Sequence, residues 1–322
     1  MPAPDCPVCG APDAQTHLEI DVAEAARGFA AGAPGVSPGD VEPILRRLWG
    51  DAGARVLTCR RCGFGFADPQ VAGDAAFYTL LYGNAPSYPA DRWEFAQTMR
   101  ALEGAPTGRL LEIGAGDGRF LRHARAAGWE TLAVELGAAA VAALRADGYP
   151  VEEASIDELA GQERHRGAHD AVCLFQTLEH LAAPREALTR LASLLAPGGR
   201  LFVSVPNGPH VLAQEALTQM LDLPPNHVGR WTPEALRIAG EAAGLAVVAV
   251  EEEPADQAEI AAHLAHLHRV AHGGRGLDRF APTPLRSWAE RVDISLRVRA
   301  IARRGGTLPA PTLWASYAKA AA

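Results

Sequence analysis

The clearest pattern lies between Pro106 and Glu251. Apolar runs of four to six residues alternate there with stretches whose apolar positions recur at helical spacing. Arg109–Ile113, Glu130–Val134, Val151–Glu153, Asp170–Phe175, Arg200–Val205 and Leu245–Glu251 read as strands. Gly118–Ala127, Ala138–Ala146, Pro184–Leu195 and Thr232–Ala243 read as the intervening helices. The last has Thr232 as N-cap, Pro233 at its first position and Gly244 past its end, which is where each residue type is favoured. Strands alternating with helices of this length predict a parallel sheet covered on both faces.

The flanks follow other rhythms. Residues 1 to about 70 read as irregular apart from two helices, near Asp21–Ala31 and Asp40–Gly50, the second with Asp40 as cap and Gly50 as stop. A further helix is predicted over Asp91–Leu102. After Pro254 the alternation breaks. Ala258–His272 and Pro284–Arg304 read as helices, and Thr312–Ala318 as a strand.

Size and charge narrow the classes. A chain of 322 residues accommodates one large domain with an appendage. No apolar run approaches the roughly 18 residues a membrane span needs. The opening residues, Met1 to Cys6, lack the basic and apolar segments of a secretory signal, so a cytoplasmic protein is expected. The net charge of −8 argues against nucleic acid, whose phosphates call for a basic field. From Ala255 onward the balance reverses, with ten Arg and Lys against five Asp and Glu.

Candidate chemistry begins where the first strand runs into Glu112-x-Gly114-x-Gly116-x-Gly118. Glycines after a strand let the chain turn sharply and let a ligand approach its backbone. A dinucleotide loop usually reads Gly-x-Gly-x-x-Gly. Here the third glycine comes one residue early, and carboxylates stand at Glu112 and Asp117. Two carboxylates repel a pyrophosphate and suit a ligand that carries an ammonium and a sulfonium. Glu135 ends the second strand 21 residues after Gly114, where an acidic side chain can hold the ribose hydroxyls of an adenosine cofactor.

Four motifs together resemble the class I, Rossmann-like S-adenosylmethionine-dependent methyltransferases of small-molecule type. They are Glu112–Gly118, Glu135, Phe175-Gln176-Thr177-Leu178-Glu179-His180, and Leu195-Ala196-Pro197-Gly198-Gly199. The resemblance covers Arg109 to about Gly244. It implies a seven-stranded sheet in order 3-2-1-4-5-7-6, with Thr312–Ala318 as an antiparallel strand 7 and a helical insertion at about 255–308. It implies S-adenosyl-L-methionine as cofactor, bound by Glu112, Gly114, Ala115, Gly116, Asp117 and Gly118, with Glu112 and Gly114 on the methionine part. Glu135 and Leu136 would take the ribose, and Ser155 and Ile156 the adenine, with Asp157 able to substitute for Ser155. Gln176 and Thr177 would close the same site. Similar enzymes use an aromatic segment as a lid, which here points to Tyr78, Tyr82 and Tyr88, with Tyr88 placed against the cofactor.

For catalysis the resemblance singles out Glu179 and His180 as base, substrate orienter or auxiliary metal site. His227, in the loop before the next helix, would face the acceptor. Histidine suits proton removal from a hydroxyl near neutral pH. A small hydroxyl-rich acceptor, such as a sugar, sugar nucleotide or natural-product intermediate, is therefore expected, methylated on oxygen. A ribosomal RNA substrate, a C- or N-methylation, and a pathway protein that binds the cofactor without methylating remain open at this stage.

Two Cys-x-x-Cys pairs, Cys6/Cys9 and Cys59/Cys62, are each followed by glycine. In a reducing compartment such pairs predict a four-thiolate zinc site, structural because no coordination position is left open. Cys173, in an apolar run, reads as packing. The expected organisation is a zinc-ribbon-like subdomain with a helical insert over 1–70, a lid and linker over 71–105, and the methyltransferase domain over 106–322. His263, His266, His268 and His272 cluster on the insertion, where a solvated or subunit-facing helix is expected, consistent with a homodimer.

Overall fold

A computed structural model describes residues 3–82, 91–214, 222–254 and 311–321. The late insertion, its histidine cluster and Tyr88 lie outside the described residues.

The central sheet is built from β4 (Arg109–Ile113), β5 (Glu130–Val134), β6 (Val151–Glu152), β7 (His169–Phe175), β8 (Leu195–Pro206), β10 (Ala246–Glu252) and β11 (Thr312–Ala318). Their spatial order is β10-β11-β8-β7-β4-β5-β6. Counted from β4 as strand 1, this is 3-2-1-4-5-7-6 read from the β6 edge. Neighbours from β6 to β8 are parallel, and β11 runs antiparallel to both β8 and β10. In detail β8 starts earlier than the apolar run does. Leu195 already pairs with His169, and the Pro-Gly-Gly turn bulges out before Arg200 rejoins opposite Ala171.

Helices α5 (Arg119–Ala126), α6 (Ala138–Ala146), α7 (Ile156–Gly161), α8 (Pro184–Leu194) and α10 (Pro233–Ala242) connect the strands. Their apolar faces bury against the sheet, as with Leu188, Leu191 and Leu194 of α8. Thr232 caps α10 by accepting from the Ala235 N–H at 3.1 Å. Gly240 of α10 has no side chain because the ring of Tyr317 on β11 occupies that space. A Cβ there would lie 2.2 Å from the ring, and the Tyr317 hydroxyl donates to the Leu236 carbonyl. Gly240→Ala is expected to cost roughly 1–3 kcal/mol of stability through overpacking, read by urea denaturation.

Residues 14 to 68 are not irregular. β1 (Ala14–Ile20), β2 (Ala54–Cys59) and β3 (Gly65–Asp68) form an antiparallel sheet, joined at its far edge by β9 (Gly229–Arg230). The two expected helices, α1 (Val22–Gly32) and α2 (Pro38–Trp49), fill the β1–β2 connection. Asp21 caps α1. At α2 the cap is Ser37, not Asp40; the Ser37 N–H and hydroxyl both donate to the Asp40 carboxylate, three residues on. Two further helices, α3 (Ala75–Tyr82) and α4 (Trp93–Leu102), precede β4, and α9 (Gly208–Gln214) follows β8. Cys6, Cys59, Cys62, Phe64 and Phe66 share one apolar core with Leu188, Trp231, Leu236 and Tyr317. The cysteine-bearing sheet is thus fused to the central sheet's core, and its fourth strand comes from the chain segment that enters α10.

Candidate active site

The loop after β4 is shaped by backbone that only glycine adopts readily. Gly114, Gly116 and Gly118 all have φ in the left-handed region, at +70°, +53° and +72°. At Gly114 a Cβ would also stand 2.6 Å from the Thr177 hydroxyl. The Gly116 N–H donates to Glu135 Oε2 at 2.9 Å, while Leu136 and Gly137 donate to Oε1 at 2.8 Å each. Glu135 therefore ties the ends of β4 and β5 together and keeps free lone pairs for a ligand.

Glu112 lies inside the sheet, between Ala133 and Cys173 in register, and is buried. Its Oε2 accepts no hydrogen bond among the described residues. Burial pushes its carboxyl well above the usual range, and the charges of Glu135 and Asp117 add to the effect. An orphaned buried carboxyl at the wall of a cleft fits a cationic group, which would satisfy it and ionise it.

Two clefts meet at Gly114, Glu135 and Thr177. The smaller, about 230 Å³, is charged, with Arg92, Glu112 and Asp117 on its walls. The larger, about 390 Å³, is mainly apolar and includes Ile113, Leu136, Ser155 and Ile156. The charged end suits an amino acid, the shared rim a ribose, and the apolar end a planar base. Ser155 lines the apolar cleft, but its hydroxyl is engaged with Glu158 in the capping box of α7. Asp157 lines it too, paired with Arg190 at 2.9 Å. Gln176 and Thr177 line the charged cleft, and Thr177 the apolar one as well. Gln176 holds φ at +48°, a costly region for a side chain, and its N–H donates to the Ser204 carbonyl at 2.9 Å.

Beyond the charged cleft, Leu178–His180 forms a single 3-10 turn. Glu179 is 1% exposed, and neither carboxylate oxygen accepts a hydrogen bond among the described residues. Burial raises its carboxyl to about 7, against a counter-pull from His227. His180 reaches the Asn226 carbonyl through Nδ1 at 2.7 Å, which places the ring proton on Nδ1 and leaves Nε2 as acceptor. Burial, and then the nearby His227 charge, hold His180 down to about 3, so it is neutral. The Tyr78 hydroxyl stands 3.2 Å from the same Nδ1. His227 packs edge-on against His180, ring centres 4.6 Å apart. Burial opposes its charged form, but the hydrogen bond to Asp222 at 2.9 Å and that charge outweigh burial and raise it above its ordinary value. One donor atom each of Glu179, His180 and His227 lies within 4.8 Å of the others.

All three residues expected to do chemistry are thus brought together, with His180 on the wall of the charged cleft. Sequence reasoning missed Asp222, which favours the charged form of His227, and Asn226, which sets the tautomer of His180. It also missed Arg92, paired with the buried Glu94 at 3.5 Å on the charged cleft. Arg92 precedes α4 with no motif around it, and the Asp222–His227 spacing matches no recurring pattern.

The cysteines converge as well. Gly10 and Gly63 donate back to Cys6 and Cys59, closing a tight turn after each pair. Sγ of Cys6 lies 3.7 Å from that of Cys62, and Cys9 lies 3.5 Å from Cys59. Four thiolates on a tetrahedral zinc, with bonds of about 2.3 Å, stand about 3.8 Å apart, so these residues fit that ion. The contact with Cys62 brings the Cys6 thiol down to about 5. Cys173 is buried in β7 as packing.

The sheet order, with one antiparallel strand beside the edge and a glycine loop after strand 1, defines a class I, Rossmann-like methyltransferase. A family model described as a methyltransferase domain matches residues 90–250, and the chain belongs to that family as an S-adenosylmethionine-dependent methyltransferase. Ubiquinone biosynthesis O-methyltransferase of Marinobacter nauticus is 30% identical over 31% of this chain and 44% of its own. The protein of that name from Alkalilimnicola ehrlichii is 32% identical over 44% of this chain and 63% of its own. The chain spans about half the length of the curated relatives it matches. A SAM-dependent methyltransferase structure from Archaeoglobus fulgidus aligns with a TM-score of 0.48 and 17% identity, over 70% of this chain and 92% of that one. Among the described residues no helix is long and apolar enough to cross a membrane.

Proposed function

We propose that this methyltransferase acts on an oxygen of a small hydroxyl-bearing acceptor, such as a sugar, sugar nucleotide or natural-product intermediate. The observation that carries this is the buried carboxyl of Glu179, without a hydrogen bond among the described residues, next to a neutral His180 that lines the charged cleft. A hydroxyl becomes a competent nucleophile when its proton is taken as the bond forms. Glu179, near half-ionised at neutral pH, and His180, with Nε2 free to accept, supply two proton acceptors at that place. His227, whose charged form the Asp222 hydrogen bond favours, in turn favours the ionised form of Glu179 and of the acceptor oxygen. The relatives named as O-methyltransferases support oxygen as the target.

S-adenosylmethionine, when bound, supplies a methyl group activated by its sulfonium. Glu112, with Gly114 to Gly118, holds its amino-acid end, and Arg92 balances its carboxylate. Glu135 and Leu136 hold the ribose; Ser155 and Ile156 flank the base; Gln176 and Thr177 close the rim. Cys6, Cys9, Cys59 and Cys62 hold a structural zinc, which would lock the two knuckles together. Glu135→Ala is expected to weaken binding of S-adenosylhomocysteine by on the order of 10- to 100-fold, because charge-assisted hydrogen bonds are lost. Calorimetry reads this directly, and unchanged affinity would remove Glu135 from the site. The acceptor class is tested by incubating protein and cofactor with panels of phenols, sugars and sugar nucleotides. Mass spectrometry should find one added methyl group, located on oxygen; methylation of carbon or nitrogen alone would refute the reading.

A further inference from the structure

His227 sits in a connecting segment, yet its position is fixed within tight limits on both sides. On the active-site side, the Val228 N–H donates to the Glu179 carbonyl at 2.9 Å. On the other side, the Val228 carbonyl accepts from the Ala67 N–H at 3.0 Å. Gly229 pairs with Phe66, and Arg230 with Gly65, as the β9–β3 ladder. Trp231, fully buried, meets Phe64 edge-on at 4.7 Å between ring centres. The Thr232 hydroxyl donates to the Cys62 carbonyl at 2.7 Å. The residues after His227 are thus held against Cys62 and the residues that follow it.

The junction also has no slack. A Cβ on Gly65 would lie 2.9 Å from Arg230 Cβ, and one on Gly229 would lie 3.0 Å from the Phe64 ring. The residues assigned to the amino-acid end and the ribose hang elsewhere, and only Gln176 and Thr177 adjoin the Leu178–His180 turn. Glu112 lies in β4 and Glu135 directly follows β5, strands that pair with each other and with β7 and β6.

We infer that the four-cysteine centre is a positioning device for the acceptor side of the active site. The metal fixes the Cys59–Cys62 knuckle, and the β3–β9 ladder carries that position to His227 and Glu179, while cofactor binding is left independent. This rests on the zinc site and on the acceptor-side roles proposed above. Cys62, Gly65 and Ala67 are positioning residues, since none touches the reacting atoms.

The test uses full-length, zinc-loaded protein and the same protein after chelation. Zinc content is measured first, then exchange of the Val228 amide, the titration midpoint of the His227 ring by NMR, and affinity for S-adenosylhomocysteine. On zinc removal, Val228 exchange is expected to speed up on the order of 100-fold, because the ladder opens locally. The His227 midpoint is expected to fall as Asp222 loses its hold. S-adenosylhomocysteine affinity should change less than about threefold, a difference under ~0.7 kcal/mol. Gly65→Ala, which wedges the ladder without touching a thiol, should reproduce the exchange and midpoint changes with zinc retained. If chelation also abolishes cofactor binding, the chain has unfolded and Gly65→Ala decides. Val228 exchange and His227 titration unchanged in that variant overturn the coupling. Purified protein without zinc overturns the metal reading instead, whatever the ladder does.

Discussion

Glu179→Gln protein is expected to lose methyl transfer by ~10²–10⁴-fold, the usual worth of a positioned general base. Its affinity for S-adenosylhomocysteine should not change, because Glu179 lies beyond the cofactor-holding residues. The substitution keeps shape and removes only the ability to take a proton. In the unsubstituted protein the rate should climb as pH rises through about 7, where the carboxyl ionises, and Gln should abolish that limb. A Gln variant with full activity would hand the role to His180. The same group makes an independent prediction about stability. Its carboxyl titrates near 7 in the fold and near its ordinary 4.5 in the unfolded chain. Below about pH 4.5 it is protonated in both states and has no pH-linked effect on stability. Between 4.5 and 7 the unfolded chain ionises and the fold does not, so stability falls with rising pH; above 7 the full cost of the buried charge is present. Gln escapes that cost. Relative to the parent it should gain roughly 3 kcal/mol at pH 8 over its effect at pH 4, from about 1.4 kcal/mol per pH unit of displacement. Urea denaturation at the two pH values measures the difference.

The glycine-loop half of the candidate site was legible because its signals are local. Leu110 to Gly118 carries a buried strand and a turn requirement in nine consecutive residues, and Glu135 repeats the logic one strand later. Thr312–Ala318 was legible for the same reason, as a continuous buried run. The N-terminal sheet was not. β1 reads Ala-Gln-Thr-His-Leu-Glu-Ile, with only Ile20 fully buried, so an edge strand exposed on most of its length gives no clean alternation. β9 is two residues long and exists only because Gly65 and Phe66 lie alongside it. The cap of α2 was displaced from Asp40 to Ser37 because a capping box needs both residues, and the acid three positions on looks like a cap by itself. On the acceptor side, Glu179, His180 and His227 could be singled out by type. What tunes them comes from long-range contact: Asn226 on His180, Asp222 on His227, and Val228 on the Glu179 backbone.

Cys59→Ser should strip the metal from the protein, with one zinc per chain before the change and well under that after it. Cys59 is 1% exposed and ends β2, with its N–H bonded to the Phe64 carbonyl across the turn. Serine fits that space but offers no thiolate, and three sulfurs with a poor oxygen donor hold zinc far less tightly. Apparent binding energies of structural zinc run about 10–16 kcal/mol in small domains, and part of that is folding energy. Here the Cys59 knuckle shares a core with Trp231 and Leu236, so apolar burial survives when the metal leaves. The expected loss is therefore partial, on the order of 3–5 kcal/mol, the range for breaking a buried charged cluster. In a domain of this size that lowers Tm by roughly 10 °C, at 2–4 °C per kcal/mol. Acid should act in the same direction on the parent protein, because protons compete with zinc for thiolates and metal should be released as pH falls. Packing alone makes a different prediction. Buried thiols with no metal would tolerate serine at a cost of about 1–3 kcal/mol for the unsatisfied hydroxyl, with no change in metal content and no acid-driven release. Metal analysis across a pH series on parent and variant separates the two outcomes, and a parent protein free of zinc at neutral pH would leave packing as the explanation for the cluster.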